Sequence, residues 1–217
     1  AKGTDGSWIQ HAAGTLEHKS PSSMPSINID EELTHFTQPV DIEELSAWFK
    51  DRGLEYLPRF EAIENIFLQK RNSNDEFRSA MARIKLPVDT VLAGESYEMH
   101  PVITDSSFRI SEALFQEKEV NRLFLPFGVS GFSCNHSTSE TFWVKVTARQ
   151  KAQSRILDLQ LFDEGGKRVA IVEGLTLRPV TISGLKNTIA KQNTTRAALA
   201  DCLYRPGWEE AELPSSA

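Results

Sequence analysis

Between Thr141 and Val180 the chain runs through three alternating apolar segments with little between them. In "TFWVKVTA", Phe142, Val144 and Val146 fall on one side and Trp143, Lys145 and Thr147 on the other, the period-two pattern of a strand with one buried face. "RILDLQLF" and "KRVAIVEGLTLRPV" follow, joined by "DEGG", a compact hairpin signal. Upstream, "AIENIFLQKRNSNDEFRSAMARIKL" reads as two more strands joined by the polar turn "RNSND", with Phe77 and Met81 as candidates for burial. Between the two strand groups, "YEMHPVITDSSFRISEALF" (97–115) is a helix opened by Pro101 and buried through Phe108, Leu114 and Phe115. The economical assembly is α+β: one central helix wrapped by an antiparallel sheet.

A second helix is expected from "PVDIEELSAWFKDRG". Asp41 caps it with Glu44 three residues on, Ile42, Leu45, Trp48 and Phe49 recur at helical spacing, and Gly53 stops it. Trp48 and Phe49 are read as core. The flanks are less regular. "SWIQHAAGTLE" passes for one strand without a partner, so residues 1–17 look like the end of a preceding unit. Residues 18–39, rich in Ser, Pro and acidic side chains and without period, read as a linker. The main unit then spans 40–182, and 183–217 reads as a polar helix to about Tyr204 followed by an extended exit.

Composition narrows the function more than the fold. A formal charge of −6 argues against a nucleic-acid surface, which needs a basic face to replace counterions around phosphate. No run approaches the roughly 18 apolar residues of a membrane span, and the polar opening "AKGTDGSW" is not a signal peptide, so a cytoplasmic protein is expected. The two cysteines, Cys134 and Cys202, have neither CxxC spacing nor paired histidines nearby and are read as small apolar residues. No internal repeat, Gly-rich phosphate loop, GxSxG or HExxH is present.

The residues that carry chemistry centre on Asp105, with Arg109 one helical turn later. Two readings stand for Asp105. An acidic residue near a helix start is stabilised by the helix dipole, and with Arg109 it makes an ordinary ion pair worth roughly 0.3–0.5 kcal/mol. In a buried pocket the same carboxyl becomes a proton donor.

Four stretches, taken together and in order, resemble the dehydratase domain of modular polyketide synthases. "GLEYLPRF" (53–60) is similar to that family's Gly-Tyr-x-Tyr-Gly-Pro-x-Phe segment, with Leu57 where a Gly is usual. "HPVITDSSFR" (100–109) resembles His-Pro-x-x-x-Asp-x-x-x-Gln/His, with Arg109 at the Gln/His position. "LPFGVSG" (125–131) resembles Leu-Pro-Phe-x-x-x-Gly, and "GLTLRPV" (174–180) the last core strand. "LYRPGW" (203–208) is similar to the start of the linker toward the ketoreductase region.

The resemblance implies a hotdog fold, here the C-terminal half of a double hotdog with only the closing strand of the first. It assigns Asp105 as general acid. Tyr56, Pro58, Phe60, His100, Pro101, Leu125, Pro126, Phe127 and Gly131 become substrate-binding positions, with Gly128 and Gly131 allowing close approach in the acyl channel. His100, preceding Pro101, reads more readily as a turn-shaping residue. The family's base is a His in a His-x-x-x-Gly-x-x-x-x-Pro motif of the first hotdog. None of the five His is followed by that pattern, although His11 comes closest, with Gly14 three residues later.

Dehydrating a β-hydroxyacyl thioester needs a base for the α-proton and an acid for the departing hydroxyl. The implied reaction therefore runs on β-hydroxyacyl chains carried by the phosphopantetheine arm of an acyl carrier protein, with no other cofactor and no metal. Implied partners are that carrier, the first hotdog, the neighbouring ketoreductase and, for the assembled domain, a homodimer; nucleic acid and membrane are not among them. This chain alone is expected to be inactive. Two further classes stand beside the enzyme: a non-catalytic pseudo-dehydratase scaffold, and a free-standing hotdog thioesterase, against which "LYRPGW" argues. Asp105 is expected to face an apolar pocket built from 56–60 and 125–131, with Arg109 pointing away because a buried charge pair would cost several kcal/mol of desolvation.

Overall fold

In the computed structural model the described residues are 13–17, 25–70, 77–87, 97–115, 122–135 and 137–181. The chain divides into one unit of Pro21–Gly184 and another of Ala1–Ser20 with Leu185–Ala217. In the second of these only 13–17 are described, and they are exposed and outside any helix or strand. The remainder of the expected closing strand, the expected helix from Ser183 to Tyr204, the exit segment and Cys202 lie outside the described residues.

Eight strands of Pro21–Gly184 form one antiparallel sheet: β1 (Phe36–Pro39), β2 (Ile63–Gln69), β3 (Phe77–Lys85), β4 (Arg122–Gly128), β5 (Gly131–Cys134), β6 (Thr141–Lys151), β7 (Ser154–Asp163) and β8 (Arg168–Thr181). Their spatial order is β1-β2-β3-β6-β7-β8-β4, and β5 also pairs with β8. Helices α1 (Ile29–Leu33), α2 (Ile42–Asp51) and α3 (Pro101–Leu114) accompany it, with a 3-10 turn at Pro58–Phe60. None of the helices among the described residues is long and apolar enough to cross a membrane.

The alternation in β6 puts Phe142, Val144, Val146 and Ala148 into the core. From β3 come Ala80, Ala82 and Ile84, and from α3 Val102, Ile103, Ile110 and Leu114. Small residues in mid-β3 leave room for α3, which lies mainly over β2, β3 and β6. The "DEGG" hairpin forms as expected: Gly166, at φ 80°, turns β7 into β8 where a side chain is disfavoured. Asp41 Oδ1 accepts the Glu43 and Glu44 N–H groups at 2.9 and 3.0 Å, and α2 ends before Gly53 at φ 82°.

Three expectations need correction. Met81 is fully buried, but Phe77 is 45% exposed. The two share a face of β3, yet Met81 sits mid-sheet between Phe67 and Lys145 whereas Phe77 opens the strand. Phe108 is only half-buried and Trp48 likewise, with Arg52 stacked 3.9 Å over its indole. The segment read as linker contains α1 and β1. Its lack of period has a physical cause: α1 buries no residue, and edge strand β1 buries only Phe36. "LPFGVSG" forms parts of β4 and β5, two short runs along the edge of β8. Pro126 is tolerated because the outer side of an edge strand needs no N–H.

Candidate active site around Asp105

Helix α3 is held at both ends. His100 Nδ1 accepts the Val102 N–H at 3.2 Å and Pro101 occupies the first turn, so the His-Pro pair starts the helix, as the turn-shaping reading of His100 expects. Arg78 Nη1 donates to the Leu114 carbonyl at 2.8 Å and stacks on Phe115, closing the other end with a cation.

Arg109 turns inward, contrary to the orientation expected from the sequence. Its Nε lies 3.2 Å from Asp105 Oδ2, and only 9% of its side chain is exposed against 40% for Asp105. The burial is offset by partners the sequence does not display. Nη2 donates to the Phe60 carbonyl and, at 3.1 Å, to Ser106 Oγ, while the guanidinium lies 4.0 Å above the Tyr56 ring.

The ion pair is close but not aligned. Neither Arg109 Nε nor Asp105 Oδ2 has a hydrogen bond, although both atoms are buried. The contact is therefore a charge pairing at 3.2 Å, not a fork of the bidentate kind, and the rest of the Asp105 side chain carries its exposure. Burial pushes the Asp105 carboxyl above its ordinary value of 3.8, and the Arg109 charge opposes this without cancelling it. Burial likewise lowers Arg109, against the pull of Asp105, and pushes the Tyr56 phenol up to about 12, reinforced by Asp105. Tyr56 is thus a neutral hydrogen-bonding group at any working pH.

Of the expected substrate-binding positions, Tyr56 and Phe60 are gathered at Arg109. Pro58 and Pro101 are exposed and His100 is half-buried. The 125–131 segment lies along β8, while α3 lies mainly over β2, β3 and β6. There Leu125 and Gly131 are half-buried, Pro126 and Gly128 are exposed, and Phe127 is 64% exposed beneath the Arg178 guanidinium. No residue of 125–131 lines either of the two cavities that Arg109 lines.

Sequence reasoning missed Glu112 and Arg155. Glu112 follows Asp105 by two helical turns on the same face of α3, a spacing visible in the sequence. Arg155 Nη1 donates to Glu112 Oε2 at 2.8 Å, and both side chains are more than nine-tenths buried. The Arg155 guanidinium lies 4.3 Å from the Phe115 ring and 3.6 Å from that of Phe124. Burial raises the Glu112 carboxyl, opposed by Arg155. On β5, burial raises the Cys134 thiol above its ordinary value, away from a reactive thiolate. Among the described residues no group of three His, Cys, Asp or Glu could hold a metal.

Arg109 also lines two cavities, one of about 420 Å³ between α2 and the start of β2 and one of about 160 Å³ between α2 and residues 54–56. Asp105 lines neither.

An antiparallel sheet wrapped about one central helix is the hotdog fold. The sequence model described as "Polyketide synthase dehydratase N-terminal domain" matches residues 28–187, and the chain belongs to the polyketide synthase dehydratase family. It is 27% identical over 174 residues to the polyketide synthase PksN of Bacillus subtilis (strain 168), covering 76% of this chain and 3% of that protein. With the spectinabilin polyketide synthase system protein NorB of Streptomyces orinoci it shares 24% identity over 213 residues, 97% of this chain and 9% of that protein. Among solved structures, the dehydratase domain from the CurJ module of curacin polyketide synthase superposes with a TM-score of 0.65 at 26% identity, covering 74% of this chain and 56% of that one. A trans-AT polyketide synthase dehydratase domain from Brevibacillus brevis has the same fold, with a TM-score of 0.65 at 21% identity, covering 75% of this chain and 56% of that one. The chain thus spans under a tenth of these curated relatives and just over half of the solved dehydratase domains.

Proposed function

We propose that this chain is the acid-bearing second hotdog of a dehydratase domain, which removes water from a β-hydroxyacyl chain on an acyl carrier protein once a first hotdog supplies the base. Asp105 donates the proton that lets the β-hydroxyl leave as water. The observation that carries the reading is that burial raises the Asp105 carboxyl even with Arg109 3.2 Å away, so the proton is held more tightly than on an exposed Asp. The matched motifs at 53–60, 100–109, 125–131 and 174–180 support placement in the second half, although the matching family model is described as the N-terminal domain. The sequence holds no His-x-x-x-Gly-x-x-x-x-Pro, which is why the base is assigned to the other hotdog.

In this reading the exposed side of Asp105 is where substrate and base meet it, and the exposed edge residues Phe127 and Val129 are covered by neighbouring parts of a cytoplasmic synthase. Carrier protein, first hotdog and ketoreductase are its partners, the assembled domain is a homodimer, and the phosphopantetheine thioester is the only prosthetic chemistry it needs. The test joins this chain to a dehydratase first hotdog bearing the His motif and follows 3-hydroxyacyl-carrier substrate by mass spectrometry. Enoyl product that disappears with Asp105→Asn is expected. Product from the unjoined 217-residue chain would show that the base lies within it.

One observation favours a second reading. The inward guanidinium of Arg109 stands where the family has a neutral Gln or His, and a cation there stabilises the ionised carboxylate. A site held in that form is a pseudo-dehydratase scaffold, and the joined protein then gives no enoyl product until Arg109 is replaced by Gln.

A further inference from the structure

Glu112 and Arg155 are an ion pair with both side chains more than nine-tenths buried, and the acid role given to Asp105 makes no use of it. Their attraction must repay the desolvation of two charges, and the repayment is incomplete: Glu112 Oε1 and Arg155 Nε are buried without a hydrogen-bond partner among the described residues. Such a pair is weak evidence for stability. The best attested use of a buried polar pair is to fix the register of the elements it joins, and α3 needs a fixing point. Its buried face includes Ser106, Ser107, Ser111 and Ala113, and β3, over which it lies, contributes Ala80 and Ala82. Short side chains make shallow ridges, which specify the rotation of a packed helix only weakly. The serines do not compensate, since Ser107 Oγ donates to the Ile103 carbonyl of the same helix at 2.6 Å and Ser106 Oγ accepts from Arg109.

The other polar ties of α3 constrain its rotation less. Arg78 holds the Leu114 carbonyl, which points along the helix axis, and Arg109 bonds the Phe60 carbonyl in the 3-10 turn, outside the sheet. Arg155 instead reaches a side chain of α3 from β7, a strand outside the three that α3 mainly covers. Its guanidinium is itself held against Phe115 at 4.3 Å and Phe124 at 3.6 Å, so it ties the helix to β7 and β4 at once. Asp105 and Glu112 are seven residues apart, which separates them by about 10 Å along the helix and only about 20° around it. A rotation that displaces Glu112 therefore turns Asp105 by the same angle and changes how far its carboxyl is buried.

We propose that Glu112 and Arg155 are positioning residues: their ion pair sets the rotation of α3 on the sheet and so the direction in which Asp105 faces. That Asp105 is the acid rests on the dehydratase reading; that the pair aims it does not. The test compares variants of the 217-residue chain by urea unfolding and by ¹³C NMR titration of the Asp105 carboxyl. Glu112→Leu combined with Arg155→Met removes two charges that sum to zero and leaves Arg109 and Tyr56, which face Asp105, in place. A changed titration then reports a changed direction. The double variant is expected to unfold near the parent midpoint, while its Asp105 carboxyl moves toward 3.8 as the freed helix lets the carboxylate reach water. Arg155→Lys keeps a charge opposite Glu112 but loses the planar stack on Phe115 and Phe124, so it should unfold at lower urea with Asp105 titrating as in the parent. Stability and direction thus respond in different variants. An unchanged Asp105 titration in the double variant, or the same shift in Arg155→Lys, would overturn the proposal. So would a double variant that unfolds as early as Glu112→Leu alone, since the pair would then be a stabilising contact. No turnover is read, so an absence of dehydration leaves the result standing, and a failure here leaves the dehydratase reading standing.

Discussion

Arg109 Nε lies 3.2 Å from Asp105 Oδ2 without a hydrogen bond between them, so the cation acts on the acid through its charge alone. Removing that charge leaves burial unopposed, and Arg109→Gln should raise the Asp105 carboxyl further above 3.8. The measurement is a ¹³C NMR titration of the Asp105 carboxyl in both proteins. A downward or absent shift in Arg109→Gln would contradict the opposition of burial and charge described here.

Stability should respond to pH at the same residue. A carboxyl whose folded value is raised binds its proton more tightly in the folded state than in the unfolded chain. Its favourable contribution is complete below the ordinary value of 3.8 and is lost as pH rises through the raised folded value. Asp105→Asn cannot ionise, so it should become more stable relative to the parent as pH rises from 3 to 7. Urea unfolding at both pH values measures this, and the opposite trend would show Arg109 dominating over burial.

The Glu112–Arg155 pair invites a double-mutant cycle. Either Glu112→Leu or Arg155→Met leaves one uncompensated charge among buried neighbours and should cost about 3–5 kcal/mol. The double variant should cost far less than the sum, since the Met side chain still packs between Phe115 and Phe124. Additive losses in denaturant unfolding would mean that the two residues stabilise the fold independently.

Two glycines should respond unequally to alanine. At Gly166 the backbone is left-handed at φ 80°, and an added Cβ would collide with the Ile27 carbonyl, so Gly166→Ala should destabilise by about 2 kcal/mol or more. Nothing lies within 4 Å of a Cβ at Gly128, where Gly128→Ala should change stability by about 0.5 kcal/mol or less. Thermal melts of the two variants provide the comparison.

The strands of the 141–180 stretch were legible because alternation records burial directly: β6, β7 and β8 stand where the period-two runs lie, and β2 and β3 where two strands were read on either side of a polar turn. So was the capped helix α2, whose Asp41 bonds two amides as its spacing implies. β1 and β4 were not, because an edge strand has one neighbour and weak burial, so its side chains need not alternate. At the site, the identity and position of Asp105 could be read, but the direction of Arg109 could not. That direction depends on the Phe60 carbonyl and the face of Tyr56, which come from a segment forty-nine residues away at Phe60. Glu112 carried a helical signal, but its partner Arg155 lies on β7 and is joined to it only by the tertiary fold.

The sheet order also sets a sequence of events in time. β3 pairs along its length with β6, Lys85 opposite Thr141, while α3, β4 and β5 lie in the stretch of chain between them. The two hairpin systems, β2–β3 and β6–β7–β8, can each zip locally, but they join at the centre only after that long loop has closed. Such non-local pairing places folding toward the slow, roughly millisecond-to-second end of the range. The helix bearing Asp105 travels inside the loop, so its packing against β6 is completed only with the closure that makes the two halves one sheet.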